Sequence, residues 1–119
     1  MSAAAILTIK SIFSKSRFAM ESEKVLQEQI HLRLKEKFPV LDREVRLDSS
    51  NIVDFLIDGS IGIEVKLQGS KKEIYYQCER YTRFEQINSL VLVTNKSVTL
   101  PSSVNGKACY VINLSKAWL

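Results

Sequence analysis

Ile52-Val53-Asp54-Phe55-Leu56-Ile57-Asp58-Gly59-Ser60-Ile61-Gly62-Ile63-Glu64-Val65-Lys66-Leu67 decides how the rest of the chain is read. Two short apolar runs flank Asp58-Gly59-Ser60, a cluster of turn formers, and the pattern predicts a β-hairpin. Side chains alternate between the two faces of a strand. Glu64 and Lys66 therefore point one way, and Ile63, Val65 and Leu67 the other. A carboxylate and an amine are set side by side, with Asp54 arriving from the partner strand. Two acidic groups and a lysine converging at a strand edge suit divalent-metal hydrolysis of a phosphodiester. Taken singly, each residue also fits a solvated cross-strand charge pattern. It is the arrangement that points to chemistry.

Upstream of the hairpin the pattern is helical. Leu26, Ile30, Leu34 and Phe38 recur every four residues, Ser22 is a candidate N-cap, and Pro39 ends the run. At about 100° per residue, Glu23 falls on the same side as Leu26 and Ile30, so it faces inward, while Glu21 and Glu28 face solvent. A strand is predicted over residues 43–47. Downstream, residues 72–86 carry Ile74, Cys78, Tyr81 and Phe84 at helical spacing. Residues 88–95 form a continuous apolar run of the kind that makes a buried strand. Pro101-Ser102-Ser103 and Asn105-Gly106 mark loops, and residues 107–114 make a last strand. The order is α-β-β-β-α-β-β, an α/β chain folding as an α+β sandwich with a central mixed sheet flanked by helices. Residues 1–119 are read as one domain.

Composition removes several alternatives. The chain has one histidine, His31, and two cysteines, Cys78 and Cys109, in no metal-ligand spacing. Histidine-based nucleases, zinc clusters and a secreted disulfide framework are therefore hard to build, and a reducing compartment is the default. Phosphate-binding glycine loops are absent, so no nucleotide cofactor is expected. No stretch approaches the ~20 apolar residues of a membrane span. The formal charge of +4 mildly favours a polyanionic partner. Residues 1–20 lack Asp and Glu and contain Lys10, Lys15 and Arg17. They read as a basic N-terminal arm or an extra helix, with an organellar targeting peptide as the alternative.

Phosphodiester cleavage needs an activated water, a clamp on the scissile phosphate and help for the leaving oxygen. A Mg²⁺ ion held by Asp54, Glu64 and the Val65 backbone carbonyl would serve the first two needs, with Mn²⁺ able to substitute. Lys66 would be the catalytic amine. Glu23 would join the acidic pocket, as a further metal ligand or beside it.

Asp54…Glu64-Val65-Lys66, behind a helix bearing Glu23, resembles the motif of the PD-(D/E)XK nuclease superfamily over residues 22–95. Val53 stands where the motif's name expects proline, a substitution found widely in that family. The resemblance implies a restriction-endonuclease-like core: helix, three-stranded meander, helix, strand. Gln77-Cys78-Glu79-Arg80-Tyr81 is similar to the Q-x-x-x-Y element of several branches. It implies a catalytic-site role for Gln77 and a place for Tyr81 along the DNA path. Read without the family, Tyr81 is a core residue and Gln77 a surface amide.

The small, basic, undivided chain resembles archaeal and viral Holliday-junction resolvases. It is similar also to stand-alone VRR-type nucleases of phage origin that act on flaps or nicks. The implied protein is a DNA-binding, cytoplasmic homodimer, prokaryotic or viral, that prefers branched DNA. Lys71, Lys72, Arg80 and Arg83, with Lys10, Lys15 and Arg17, are candidate phosphate contacts giving affinity without sequence readout. A non-catalytic nucleic-acid-binding protein that keeps the fold is the alternative of another class.

Overall fold

The N-terminal segment is a helix packed into the protein. In the computed structural model, which describes residues 2–115, Ser2–Lys15 form α1. Its Ile6, Ile9 and Phe13 are buried. A segment with that apolar face is a core helix and not a free basic arm. Ser22 then accepts the Val25 N–H at 3.1 Å and opens α2 (Glu23–Lys37). The stripe of Leu26, Ile30 and Leu34 is fully buried, as its spacing predicts. Glu21 and Glu28 face solvent, and Glu28 pairs with Arg43 at 2.7 Å. Among the described residues no helix is long and apolar enough to cross a membrane.

Strands β1 (Leu41–Arg46), β2 (Ile52–Ile57) and β3 (Ile61–Lys66) form an antiparallel meander. The hairpin turn closes by a bond from Ser60 N–H to the Ile57 carbonyl, 2.9 Å. Asp58 (φ 52°) and Gly59 (φ 66°) are both left-handed there, the conformation that matches the twist of a tight hairpin. Helix α3 (Lys71–Tyr81) leads to β4 (Ser89–Thr94), which lies parallel to β3 and is buried along its whole length. The short β5 (Ser103–Val104) and β6 (Lys107–Asn113) complete a six-stranded mixed sheet of order β1-β2-β3-β4-β6-β5. Helices α1 and α2 cover one face through Phe55, Ile57, Ile63, Val65, Val91 and Val93. Helix α3 covers the other through Val53, Leu56, Leu90 and Leu92.

Several boundaries differ from the sequence reading, three of them instructively. Strand β1 begins at Leu41, two residues ahead of the predicted Arg43, and ends at Arg46. Helix α3 ends at Tyr81, five residues before Gln86. Past Tyr81 the Arg83 and Phe84 N–H groups turn back three residues, to the carbonyls of Arg80 (3.1 Å) and Tyr81 (3.2 Å), and distant side chains bind the segment that follows. Asn105 donates to the Glu79 carbonyl and the Thr82 hydroxyl, and the Lys107 ammonium donates to the carbonyls of Phe84 and Ile87. Strand β5 falls partly in a predicted loop. Asn105 and Gly106, both left-handed at φ 51° and 75°, make the two-residue hairpin that pairs Val104 with Lys107. An Asn-Gly pair is the usual signal for such a turn, and it pointed to this strand.

Gly62 lies on the α3 face of β3, where a side chain has no room. A Cβ there would stand 3.0 Å from Ile87 Cδ1, 3.3 Å from Leu90 Cδ1 and 3.5 Å from Val53 Cγ2. Ile87, Leu90 and Val53 are all fully buried. Gly62→Ala is expected to destabilise the fold by about 1–3 kcal/mol through overpacking. Urea unfolding measures this, and an unchanged midpoint would mean that the three side chains yield freely.

Candidate functional site

Asp54 and Glu64 meet where β2 and β3 part. The ladder between these strands runs from Ile57 opposite Ile61 to Phe55 opposite Ile63 and stops there. In that register the next pairs would be Asp54 with Glu64 and Val53 with Val65. Carboxylates fill the gap. The Val65 N–H donates to Asp54 Oδ2 at 2.8 Å, and the Asp54 N–H donates to Glu64 Oε1 at 3.2 Å. The two acids replace the backbone bonds that the diverging strands give up.

The remaining walls come from all three layers. Lys66 Nζ lies 3.9 Å from Glu64 Oε2. The Tyr81 hydroxyl lies 3.2 Å from the same oxygen and 2.8 Å from the Ile52 carbonyl, and it accepts Gln77 Nε2 at 2.9 Å. Gln77 and Tyr81 thus share one flank of α3 and brace Glu64 from behind, as i and i+4 neighbours can. Glu23 arrives from α2. Its Oε1 accepts the N–H groups of Leu67 (2.8 Å) and Gln68 (3.3 Å), tying the start of α2 to the end of β3. A cleft lined by Glu21, Ser22, Glu23, Lys66, Leu67, Gln68 and Gly69 opens beside it. The structure therefore brings Asp54, Glu64, Lys66, Gln77 and Tyr81 into one bonded or ion-paired cluster, with Glu23 at its border.

Burial governs the electrostatics. Desolvation raises the Asp54 carboxyl to about 6, and the Glu23 charge adds to this, against the pull of the Val65 N–H and Lys66. Glu64 is 3% exposed, and burial, reinforced by the neighbouring Asp54 charge, pushes its carboxyl well above the usual range. The Tyr81 phenol is driven upward by burial and by the Glu64 charge. Desolvation, with Glu64 nearby, pushes the Cys78 thiol up to about 12. A half-buried and a buried carboxylate with one ammonium beside them leave an excess of negative charge that a proton or a cation would relieve.

The donor set suits a hard divalent cation. Asp54 and Glu64 supply carboxylate oxygens, and the Val65 carbonyl lies on the edge of β3 that its N–H shares, facing Asp54. Among the described residues no three His, Cys, Asp or Glu side chains group closely enough to hold an ion by themselves. Water and substrate oxygens would complete the shell, as is usual for Mg²⁺.

The basic residues divide between the two faces of the sheet. Lys71, Lys72 and Arg80 ride on α3 and Arg83 follows it, all exposed on the side of the site. Lys72 lies over the Tyr76 ring (5.9 Å), Arg80 Nε reaches Asn51 Oδ1 (3.4 Å), and Arg83 pairs with Glu79 (3.1 Å). Lys10 and Lys15 belong to α1 on the opposite face, Lys10 over the Tyr110 ring at 5.3 Å. Arg17 borders a groove on that side with Gln29 and Arg33.

Comparison with protein-family models, with curated proteins and with solved structures finds no match to this chain. Two contributors to the site went unread in the sequence: Asn51, which holds Arg80, and the Ile52 carbonyl, which anchors Tyr81. Only Asn51 carried a signal. It lies in the Asp48-Ser49-Ser50-Asn51 turn, where Asp48 Oδ1 accepts the N–H groups of Ser50 and Asn51, both at 2.8 Å.

Proposed function

We propose that this protein is a Mg²⁺-dependent endodeoxyribonuclease of the PD-(D/E)XK type that hydrolyses phosphodiester bonds in branched DNA. The observation that carries the reading is the pair of half-buried Asp54 and buried Glu64, bridged through backbone N–H groups at 2.8 and 3.2 Å, with the Lys66 ammonium 3.9 Å from Glu64. The homodimer and the cytoplasmic setting come with the resemblance, and the free, buried Cys78 and Cys109 are compatible with a reducing interior.

Each residue has a physical task in this reading. Asp54 and Glu64 hold the cation. The Val65 N–H fixes one Asp54 oxygen, leaving the other to bind. Tyr81 and Gln77 orient Glu64 and exclude water behind it. Lys66 orients the attacking water and balances charge on the phosphate. When bound, the metal supplies Lewis-acid polarisation of the phosphate and a more acidic water. Lys71, Lys72 and Arg80 contact phosphates, which supports recognition of DNA shape over sequence.

The test is cleavage of four-way junction, flap, single-stranded and linear duplex DNA with Mg²⁺, for the wild type and Lys66→Met. Cutting is expected on the junction first, and Lys66→Met is expected to lower the rate by about 10²–10⁴ with circular dichroism and DNA binding retained. Equal cutting of all four DNAs would sink the branched-DNA preference, and preference for the flap would favour a VRR-type activity. Binding without cleavage by the wild type would leave a non-catalytic DNA-binding protein.

A further inference from the structure

We propose that Glu44 is a positioning residue of this site, and that its backbone conformation, not its carboxylate, turns Asp54 into the gap between β2 and β3. The claim rests on the function proposed above only for its catalytic consequence. The geometric part stands by itself.

Strands β1 and β2 both change faces at one place. Arg43 pairs with Phe55 and Val45 with Val53, so no residue is inserted in either strand between these two pairs. Strict alternation would put 41, 43, 45 and 47 on one face, and 53, 55 and 57 on one face. Leu41, Phe55 and Ile57 do lie in the core under α1 and α2, and the Arg43 guanidinium stacks over Phe55 at 5.5 Å. Val45, Leu47 and Val53 instead pack in the core under α3. The switch therefore falls between 43 and 45 on one strand and between 53 and 55 on the other. The residues left at the crossing are Glu44 and Asp54, which the register sets opposite each other.

Glu44 has φ 50°. Among the described residues it is the non-glycine left-handed residue that lies within a strand, since Asp58 and Asn105 belong to hairpin turns. Glutamate has no intrinsic preference for that region, and the conformation is strained. Its side chain is exposed and makes no hydrogen bond or ion pair among the described residues. Nothing about the carboxylate explains the residue's conformation, whereas the face switch does. At a crossing the side chain projects neither up nor down, and Asp54 reaches a backbone N–H of the neighbouring strand, a group in the plane of the sheet. Had β2 kept its alternation, Asp54 would point to the face opposite Phe55 and leave the Val65 N–H to the Val53 carbonyl. Kinks of this kind recur where a sheet must re-aim a side chain.

The series Glu44→Gly, →Asn, →Gln, →Thr and →Val tests this, because two physical rules order it oppositely. Strand propensity on an exposed edge favours Val over Gly and Asn. Tolerance of a left-handed backbone favours Gly and Asn over Val. Two readouts are taken: hydrogen exchange of the Val65 amide in the metal-free protein, and the Mg²⁺ concentration for half-maximal junction cleavage. Gly, Asn and Gln are expected to match the wild type in both. Val is expected to speed Val65 exchange by at least tenfold relative to the global unfolding limit and to raise the Mg²⁺ requirement by a similar factor. Thr, β-branched like Val, is expected to follow it, and it decides the matter if the Val variant does not fold. Unchanged Val65 exchange in a folded Val or Thr variant would overturn the proposal. So would loss in Gln equal to that in Val, which would assign the role to the carboxylate. If the wild type cleaves no DNA, the nuclease reading fails while amide exchange still decides the role of Glu44.

Discussion

Asp54→Asn should make the metal-free protein more stable at pH 8 while abolishing metal-dependent cleavage. Asp54 is raised in the fold from 3.8 to about 6, chiefly by desolvation. A raised carboxyl binds its proton more tightly in the folded state than in the unfolded one. Its contribution to stability is therefore fully present below about pH 4 and is lost as the pH rises through 6. At pH 8 Asp54 is ionised and works against the fold. A shift of roughly two units at ~1.4 kcal/mol each amounts to about 3 kcal/mol. The amide oxygen of Asn can still accept the Val65 N–H, although it loses the charge on that bond, so a net gain of about 2 kcal/mol is expected. For a domain of this size that corresponds to ~5–10 °C in Tm. Mg²⁺ should raise the wild-type Tm at pH 8 and leave the Asn variant unmoved. Glu64 shifts in the same direction, so the metal-free wild type should lose stability from pH 5 to pH 8. A calorimetric series over pH and Mg²⁺ checks all of this. An Asn variant that melts lower than the wild type at pH 8 would contradict the account of the site as an electrostatically loaded pair.

Phe13→Ala should be the most damaging single core change toward the N-terminus. Phe13 is 1% exposed, packs in the core under α1 and α2, and meets the Phe18 ring at 5.2 Å. Truncating such a side chain costs about 3–5 kcal/mol, much or most of the stability of a domain this size. Guanidinium unfolding measures it. A loss under ~1 kcal/mol would mean that α1 is an appendage after all. The same variant, if folded, should leave the proposed DNA binding unchanged, because the phosphate contacts proposed lie on α3, on the other face of the sheet.

The sequence leaves that segment open between a basic arm, an extra helix and a targeting peptide. The spacing of Ile6, Ile9 and Phe13 on one face is what distinguishes the helix that forms. Elsewhere local chemistry was enough. Ser22, Pro39 and the stripe between them defined α2, and alternation in β3 put Glu64 on the α3 side, against Tyr81, with Ile63 and Val65 on the other. Alternation failed in β2, where Val53 faces α3 and Phe55 faces α2, because the crossing at Glu44 and Asp54 depends on pairing between strands. Ile52's part is equally non-local, since its carbonyl meets Tyr81 only after α3 folds back over the sheet. Helix α3 ran past its true end in the sequence reading for the same reason. The segment that follows it is held by a lysine more than twenty residues further on.

Lys107 therefore sets an order of events. Every side chain of the site, from Glu23 to Tyr81, precedes it in the chain. The turn that leaves α3 at Tyr81 is pinned by an ammonium on the last strand, at the carbonyls of Phe84 and Ile87. During synthesis the acidic hairpin emerges first and its back wall is clamped last, so a partial chain holds the reactive groups without their geometry.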